Sequence, residues 1–152
     1  MEQTGYRQLR KGRASIPGHH YLLTTVCQGR RRLFADWTAA STLAAALAED
    51  RLWRSAKLVC WVVMPDHMHV IVELGEEGLP GLMRRVKAVT ALAINRALER
   101  RGSAAWLPGY QDRALRSNEN LRDAARYVVE NPVRAGLVSS VAAYPFWDAD
   151  WL

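Results

Sequence analysis

Two histidines separated by one residue are the first feature of this sequence that could perform chemistry. His67 and His69 lie in the segment MPDHMHV, residues 64–70. Because successive side chains of a β-strand point to opposite faces, a strand here would place both imidazoles on one face. Two neutral imidazoles one strand step apart can hold a divalent ion. The alternative is a pair of structural histidines, each with its own hydrogen-bond partners.

A second pair of polar residues lies near the C-terminal end, in the segment RYVVENP. Tyr127 and Asn131 are four residues apart, so a helix would place them on the same side, one turn apart. They flank an apolar stripe that includes Leu121 and Val128, and a tyrosine at that edge can lean over a sheet. The alternative is an amphipathic core-edge tyrosine followed by a C-terminal cap. The spacing leaves both interpretations open.

Hydrophobic periodicity predicts the elements that position these residues. The predicted order is strand, helix, strand, strand, helix, strand, helix, over residues 19–28, 36–53, 57–64, 67–74, 81–102, a short strand within 106–116, and 119–131. We expect Asp36 to cap the first helix, Pro65-Asp66 to form a tight turn, and Ser117 or Asn118 to cap the last helix, which Pro132 stops. The first six elements match the α+β, ferredoxin-like β-α-β-β-α-β arrangement, an antiparallel sheet with helices on one face. A C-terminal helix carrying Tyr127 follows.

Composition predicts one basic domain. The 152 residues carry a formal net charge of +6, with a pI of about 9.8, which is typical of many nucleic-acid-binding domains. We interpret 1–152 as a single domain in which 1–18 form a basic N-terminal arm. Cys27 and Cys60 lie in apolar strand-like stretches and indicate a reducing compartment. No secretory signal or membrane-spanning run is visible in the sequence, so we expect a cytoplasmic protein with no membrane partner.

The combination of motifs resembles the single-tyrosine HUH transposase family, in which HUH denotes His, a hydrophobic residue and His. His67-Met68-His69 matches that motif, Pro65-Asp66 precedes it as in the REP-associated branch, and YVVENPVRAGLV follows at a distance. The REP-associated branch comprises domesticated transposases of bacterial repetitive extragenic palindromes. Further similar stretches are GRRRLF (29–34) and DRALR (112–116). The similarity covers nearly the whole chain in the same order.

The resemblance implies a metal-dependent single-stranded DNA endonuclease and strand transferase that acts next to DNA hairpins through a 5′-phosphotyrosine intermediate. It implies Tyr127 as the nucleophile, and His67, His69 and Asn131 as ligands of Mg²⁺ or Mn²⁺, with no small-molecule cofactor. By the same resemblance we expect a nucleoid-associated monomer, with a dimer as the alternative. Two other functions remain open: a non-catalytic nucleic-acid-binding module that retains the fold, and a small-molecule metallohydrolase that uses the histidines and a bound water.

Basic side chains are candidates for contacts with DNA phosphates, which supply most of the affinity of such proteins. The alternative for each of them is a solvated surface position. The candidates are Arg7, Arg10, Lys11 and Arg13 in the arm, Arg30, Arg31 and Arg32 after the first strand, Arg84, Arg85 and Lys87 on the second helix, and Arg113 and Arg116 at the fourth strand.

Overall fold

A computed structural model of the chain describes residues 15–116 and 118–150, in which a five-stranded sheet is the central element. Its strands are β1 (His20–Val26), β2 (Lys57–Met64), β3 (His67–Glu73), β4 (Gln111–Ala114) and β5 (Trp147–Ala149). The spatial order is β4-β1-β3-β2-β5, and every neighbouring pair is antiparallel. The strands β2 and β3 form a hairpin in which Met64 pairs with His67, so the predicted tight turn at Pro65-Asp66 is confirmed.

Helices cover both faces of this sheet. They are α1 (Trp37–Leu47), α2 (Asp50–Trp53), α3 (Leu79–Ala97), α4 (Leu121–Val129) and α5 (Asn131–Arg134). The first three pack with one set of strand residues, which includes Leu23, Val63 and Val70. Helix α4 packs with the opposite set, which includes Val62 and Ile71. The predicted α+β fold, an antiparallel sheet with helices, is therefore confirmed.

Helix boundaries follow the capping residues. The Asp36 side chain accepts a hydrogen bond from the Ala39 backbone N–H at 2.9 Å, as predicted for the first helix. The cap of the tyrosine helix is Asn120, which accepts from the Asp123 N–H at 3.1 Å, so the predicted cap Asn118 is wrong. The other predicted cap, Ser117, lies outside the described residues. Asparagine suits both positions 118 and 120, so composition alone did not distinguish them.

Proline and an edge strand account for two further differences near the C-terminus. Pro132 lies in the first turn of α5 instead of ending the chain's last helix, because proline lacks the N–H that a first turn leaves unpaired anyway. Strand β5 was not predicted, since three residues are too few to show an alternating pattern. It pairs with β2 through Cys60–Ala149 and Val62–Trp147, and so covers an edge that would otherwise be open to association.

The last residues of the predicted arm are bonded to the body of the domain. The Ser15 hydroxyl accepts from the Leu79 N–H at 3.1 Å, and the Gly18 N–H donates to the Leu74 carbonyl at 2.7 Å.

Among the described helices, none combines the length and the apolar character needed to cross a membrane.

Candidate active site

The two histidines lie side by side on one face of β3. Their ring centroids are 4.8 Å apart and the rings are nearly perpendicular. Residues two apart share a face, so both rings are on the same face as Ile71, the face that α4 covers. The strand geometry expected from the sequence is therefore present.

Each histidine has one ring nitrogen engaged by a neighbouring side chain. The Nδ1 of His67 lies 2.6 Å from Asp66 Oδ1, and the Nδ1 of His69 lies 2.7 Å from Thr24 Oγ1. When Nδ1–H donates to these oxygens, Nε2 carries the lone pair, and such contacts orient metal-binding histidines in many proteins. Thr24 reaches His69 because β1 and β3 pair these two residues directly.

The surroundings of the pair favour neutral imidazole at His69. Burial, followed by the positive charges of His67 and Arg134, lowers the pKa of His69 to about 4. Burial alone would raise the pKa of Asp66, but its hydrogen bond to His67 and the charges of His67 and Arg30 hold that pKa below its usual value. The neutral imidazole of His69 and the ionised carboxylate of Asp66 have the protonation states that binding of a divalent cation requires.

Tyr127 lies on α4, whose apolar residues anchor it to the sheet. Ala125, Val128 and Val129 are buried against the β2 and β3 residues of the histidine face. Tyr127 itself is 63% exposed. The helix therefore holds a solvent-accessible phenol on the same side of the sheet as the histidine pair.

Asn131 follows Tyr127 by one turn but belongs to the next helix. Helix α4 ends at Val129, and Asn131 begins α5. Its side chain is half-buried, and its Nδ2 donates to the Val128 carbonyl at 2.7 Å. This bond orients the amide through its nitrogen. The amide oxygen, Oδ1, is the atom that can accept a hydrogen bond or bind a cation. In the part of the chain that the structure describes, no three His, Cys, Asp or Glu side chains form a group able to hold a metal.

Arg134 is a site residue that the sequence reasoning did not identify. Its guanidinium carbon lies 3.7 Å from the centroid of the Tyr127 ring, and its Nη2 donates to the Tyr127 carbonyl at 2.6 Å. No sequence signal marked it, because Tyr127 lies on α4 and Arg134 on α5, and the arrangement of the two helices is not visible in the sequence.

A groove of about 340 Å³ runs beside Tyr127. Leu22 and Ile71 of the sheet are among its apolar lining residues, and Asp123 lies on its helical side. Arg113 also lines it and pairs with Glu119 at 2.9 Å. The groove thus offers apolar surface next to the tyrosine, bordered by charged side chains.

The predicted DNA-contact residues are distributed over both faces. Arg30, Arg31 and Arg32 are exposed in the segment after β1, which is tied to the turn before His67 by the bond from the Phe34 N–H to the Pro65 carbonyl. Arg84 is exposed on α3, which packs against the other face of the sheet from the histidines. Arg116 is exposed and lines a second groove, of about 520 Å³, which it shares with Arg113.

Two of the predicted contact residues on α3 are engaged within the protein. Arg85 donates to the Leu52 carbonyl at 2.8 Å and to Glu77 Oε2 at 2.7 Å. The Nζ of Lys87 donates to the carbonyls of Leu107 and Gly109, each at 2.7 Å. Both side chains therefore connect neighbouring segments. The predicted contacts Arg7, Arg10, Lys11 and Arg13 lie outside the described residues.

Comparison with known proteins gives concordant matches. Residues 15–131 match the family model described as "Transposase IS200 like". A REP-associated tyrosine transposase of Escherichia coli K12 is 27% identical over 133 residues, which cover 86% of this chain and 76% of the relative. A solved structure of a REP-associated tyrosine transposase bound to a REP hairpin superposes with a TM-score of 0.69 at 26% identity, covering 89% of this chain and 79% of that one. A putative transposase from Deinococcus radiodurans, at 23% identity and a TM-score of 0.56, shares the fold over 79% of this chain and 95% of its own.

Proposed function

We propose, from the premise that this chain belongs to the IS200-like transposase family, that it cleaves and rejoins single-stranded DNA beside hairpins through a covalent bond to Tyr127. The observation that carries the proposal is the placement of an exposed tyrosine on a helix that packs over the face holding two oriented histidines. The similarity to a transposase solved with a REP hairpin supports hairpin DNA as the substrate class.

The residues present fit a divalent cation, Mg²⁺ or Mn²⁺. Hydrogen bonds at Nδ1 orient both histidines, and His69 is in its neutral form near pH 7. His67 and His69 would hold the ion, with the Asn131 amide oxygen as the proposed third ligand. Such an ion supplies Lewis-acid stabilisation of the negative charge on the phosphate.

The chain's own residues account for the remaining requirements of the reaction. Tyr127, which is exposed, gives up its hydroxyl proton to solvent, and its oxygen attacks the phosphorus of the scissile phosphodiester. The bond from phosphorus to the 3′ oxygen breaks, and that oxygen takes up a proton from solvent and leaves as a 3′-hydroxyl. The 5′ end stays bonded to Tyr127, so a second 3′-hydroxyl can reverse the step and join strands without ATP.

The groove beside Tyr127 supplies a place for the nucleotide next to the scissile phosphate. Its apolar lining, with Leu22 and Ile71, suits a nucleobase, whereas Asp123 disfavours a phosphate there. Arg30, Arg31 and Arg32 lie at the histidine end of the sheet and are the proposed contacts to the DNA backbone. Arg113 and Arg116 are proposed contacts at the sheet edge formed by β4, where Arg113 lines the groove beside Tyr127.

A cleavage assay on labelled single-stranded hairpin DNA tests the proposal. Wild-type protein with Mn²⁺ is expected to give a cut strand and a protein-linked product, and EDTA is expected to abolish both. Tyr127→Phe is expected to bind the hairpin as wild type does but to yield no product. Tyr110→Phe, which removes a hydroxyl elsewhere, serves as the matched control. Hairpin binding without cleavage by wild type would favour the non-catalytic binding module, and cleavage by Tyr127→Phe would favour histidine-based hydrolysis.

A further inference from the structure

Arg134 contacts both the ring and the backbone of the proposed nucleophile. Its guanidinium carbon is 3.7 Å from the Tyr127 ring centroid, while Nη2 donates to the Tyr127 carbonyl at 2.6 Å. A planar guanidinium can stack on an aromatic ring and donate hydrogen bonds at its edge at the same time. Because the Tyr127 ring is 63% exposed, the core restrains it little, and the stacked guanidinium limits its orientation.

The contact with the Tyr127 ring places the positive charge of Arg134 next to the proposed nucleophile. An anionic phosphate bound at Tyr127 would therefore also lie near this guanidinium.

The charge of Arg134 is only weakly compensated by its acidic neighbour. Its Nη1 lies 3.9 Å from Glu130 Oε2, and the side chains are 36% and 53% exposed. Exposed pairs at this distance contribute little. The guanidinium thus retains its capacity to stabilise negative charge that develops beside it.

We propose that Arg134 is a positioning residue for Tyr127, an inference that rests on the proposed function. The guanidinium fixes the Tyr127 ring so that the phenol oxygen is directed at the phosphorus. A larger fraction of the bound complexes then has a reactive geometry. It also supplies a permanent positive charge over the Tyr127 ring, which stabilises the phenol as it loses its proton to solvent, while the bond to phosphorus forms and the bond to the 3′ oxygen breaks.

Single-turnover cleavage at saturating hairpin DNA tests this role. Arg134→Ala is expected to slow formation of the covalent product by at least about tenfold, since it removes orientation and charge stabilisation together, while the Kd for the hairpin changes by less than about threefold, as one phosphate contact at most is lost. Arg134→Lys is expected to restore part of the rate, because it keeps the charge but not the planar contact. Arg126→Ala removes an exposed arginine from α4, the helix that carries Tyr127, and is expected to react at the wild-type rate.

Fluorine NMR separates positioning from a general loss of structure. With 3-fluorotyrosine incorporated, the Tyr127 resonance is identified by its absence in Tyr127→Phe. Arg134→Ala is expected to shift that resonance and leave the resonances of the other tyrosines in place, and Arg126→Ala is expected to shift none of them. An unchanged Tyr127 resonance in Arg134→Ala, or a wild-type single-turnover rate in that variant, would overturn the inference. If wild type forms no covalent product, the proposed function fails, and the fluorine resonance still decides whether Arg134 positions the ring.

Discussion

His69 combines a polar ring with a largely apolar position. Its Nδ1 is satisfied by Thr24, and its pKa is lowered to about 4, chiefly by burial. The unfolded chain has a histidine pKa near 6.5, so between pH 6.5 and 4 the unfolded state binds more protons at this position than the folded state does. Protonation of His69 therefore opposes folding within that window.

The first prediction concerns the stability of the metal-free protein at acidic pH. Lowering the pH from 7 to 5 is expected to reduce the free energy of unfolding by about 1–2 kcal/mol through His69. Urea unfolding in EDTA measures this quantity. His69→Gln, which cannot take up a proton there, is expected to lack that part of the pH dependence. Equal pH dependence of both proteins would contradict the assignment of a depressed pKa to His69.

Alternation of side chains in a strand was enough to predict that His67 and His69 share a face. The partners of those residues were not predictable in the same way. Thr24 lies 45 residues before His69 and reaches it only through the β1–β3 register. Arg134 was passed over because an arginine seven residues after a tyrosine has no distinguishing pattern until the two helices are known.

The stability of helix α4 depends on its N-terminal cap and on one apolar stripe. It has nine residues, and isolated helices of that length are marginal in water. Packing of Ala125, Val128 and Val129 on the sheet and the Asn120 cap therefore determine where Tyr127 lies.

The second prediction concerns that cap. Asn120→Ala is expected to lower the free energy of unfolding by about 1 kcal/mol and to reduce covalent product formation, because the first turn of α4 loosens. Asn120→Ser retains a capping oxygen and is expected to recover most of both quantities. Asp36→Ala removes the cap of α1 on the other face of the sheet. It is expected to lose similar stability in urea unfolding while cleaving at the wild-type rate. A loss of cleavage in Asp36→Ala equal to that in Asn120→Ala would contradict this account.

The sequence pattern predicted the six elements of the ferredoxin-like arrangement in their correct order. The continuous apolar run at 57–64 and the amphipathic segment at 79–97 are strong local signals. Strand β5 escaped because it exists through pairing with β2, a long-range interaction with no local signature in three residues.

For the whole molecule, the sheet divides the surface into two sides with different roles. The histidines, Tyr127 and Arg134 are associated with the side that α4 covers, whereas α1 and α3 cover the other. The family predicted from motifs at several places in the chain is confirmed by the match over residues 15–131. The sequence did not show which basic residues lie on the same face of the sheet as the histidines, because the spacing of charged residues does not reveal the spatial order of the strands.

The third prediction uses this division. Arg30→Gln and Arg84→Gln each remove one positive charge from an exposed arginine. The charge of Arg30 lowers the pKa of Asp66, which contacts His67, so Arg30 lies near the proposed site. Arg30→Gln is therefore expected to weaken hairpin binding. The slope of log K against log salt is expected to fall in magnitude by about 0.7–0.9, the value of one phosphate contact. Arg84→Gln, on the opposite side, is expected to leave both quantities unchanged in a salt titration followed by fluorescence anisotropy. Equal losses in the two variants would indicate a nonspecific effect of net charge.

Peptide mass spectrometry of the reaction product tests whether Tyr127 becomes covalently bonded to DNA. Wild-type protein is incubated with hairpin DNA and Mn²⁺, then denatured and digested with nuclease and trypsin. A 5′-phosphonucleotide is expected on the peptide that contains Tyr127 and on none of the peptides with the other tyrosines. An adduct on another residue, or cleaved DNA with no adduct, would contradict it.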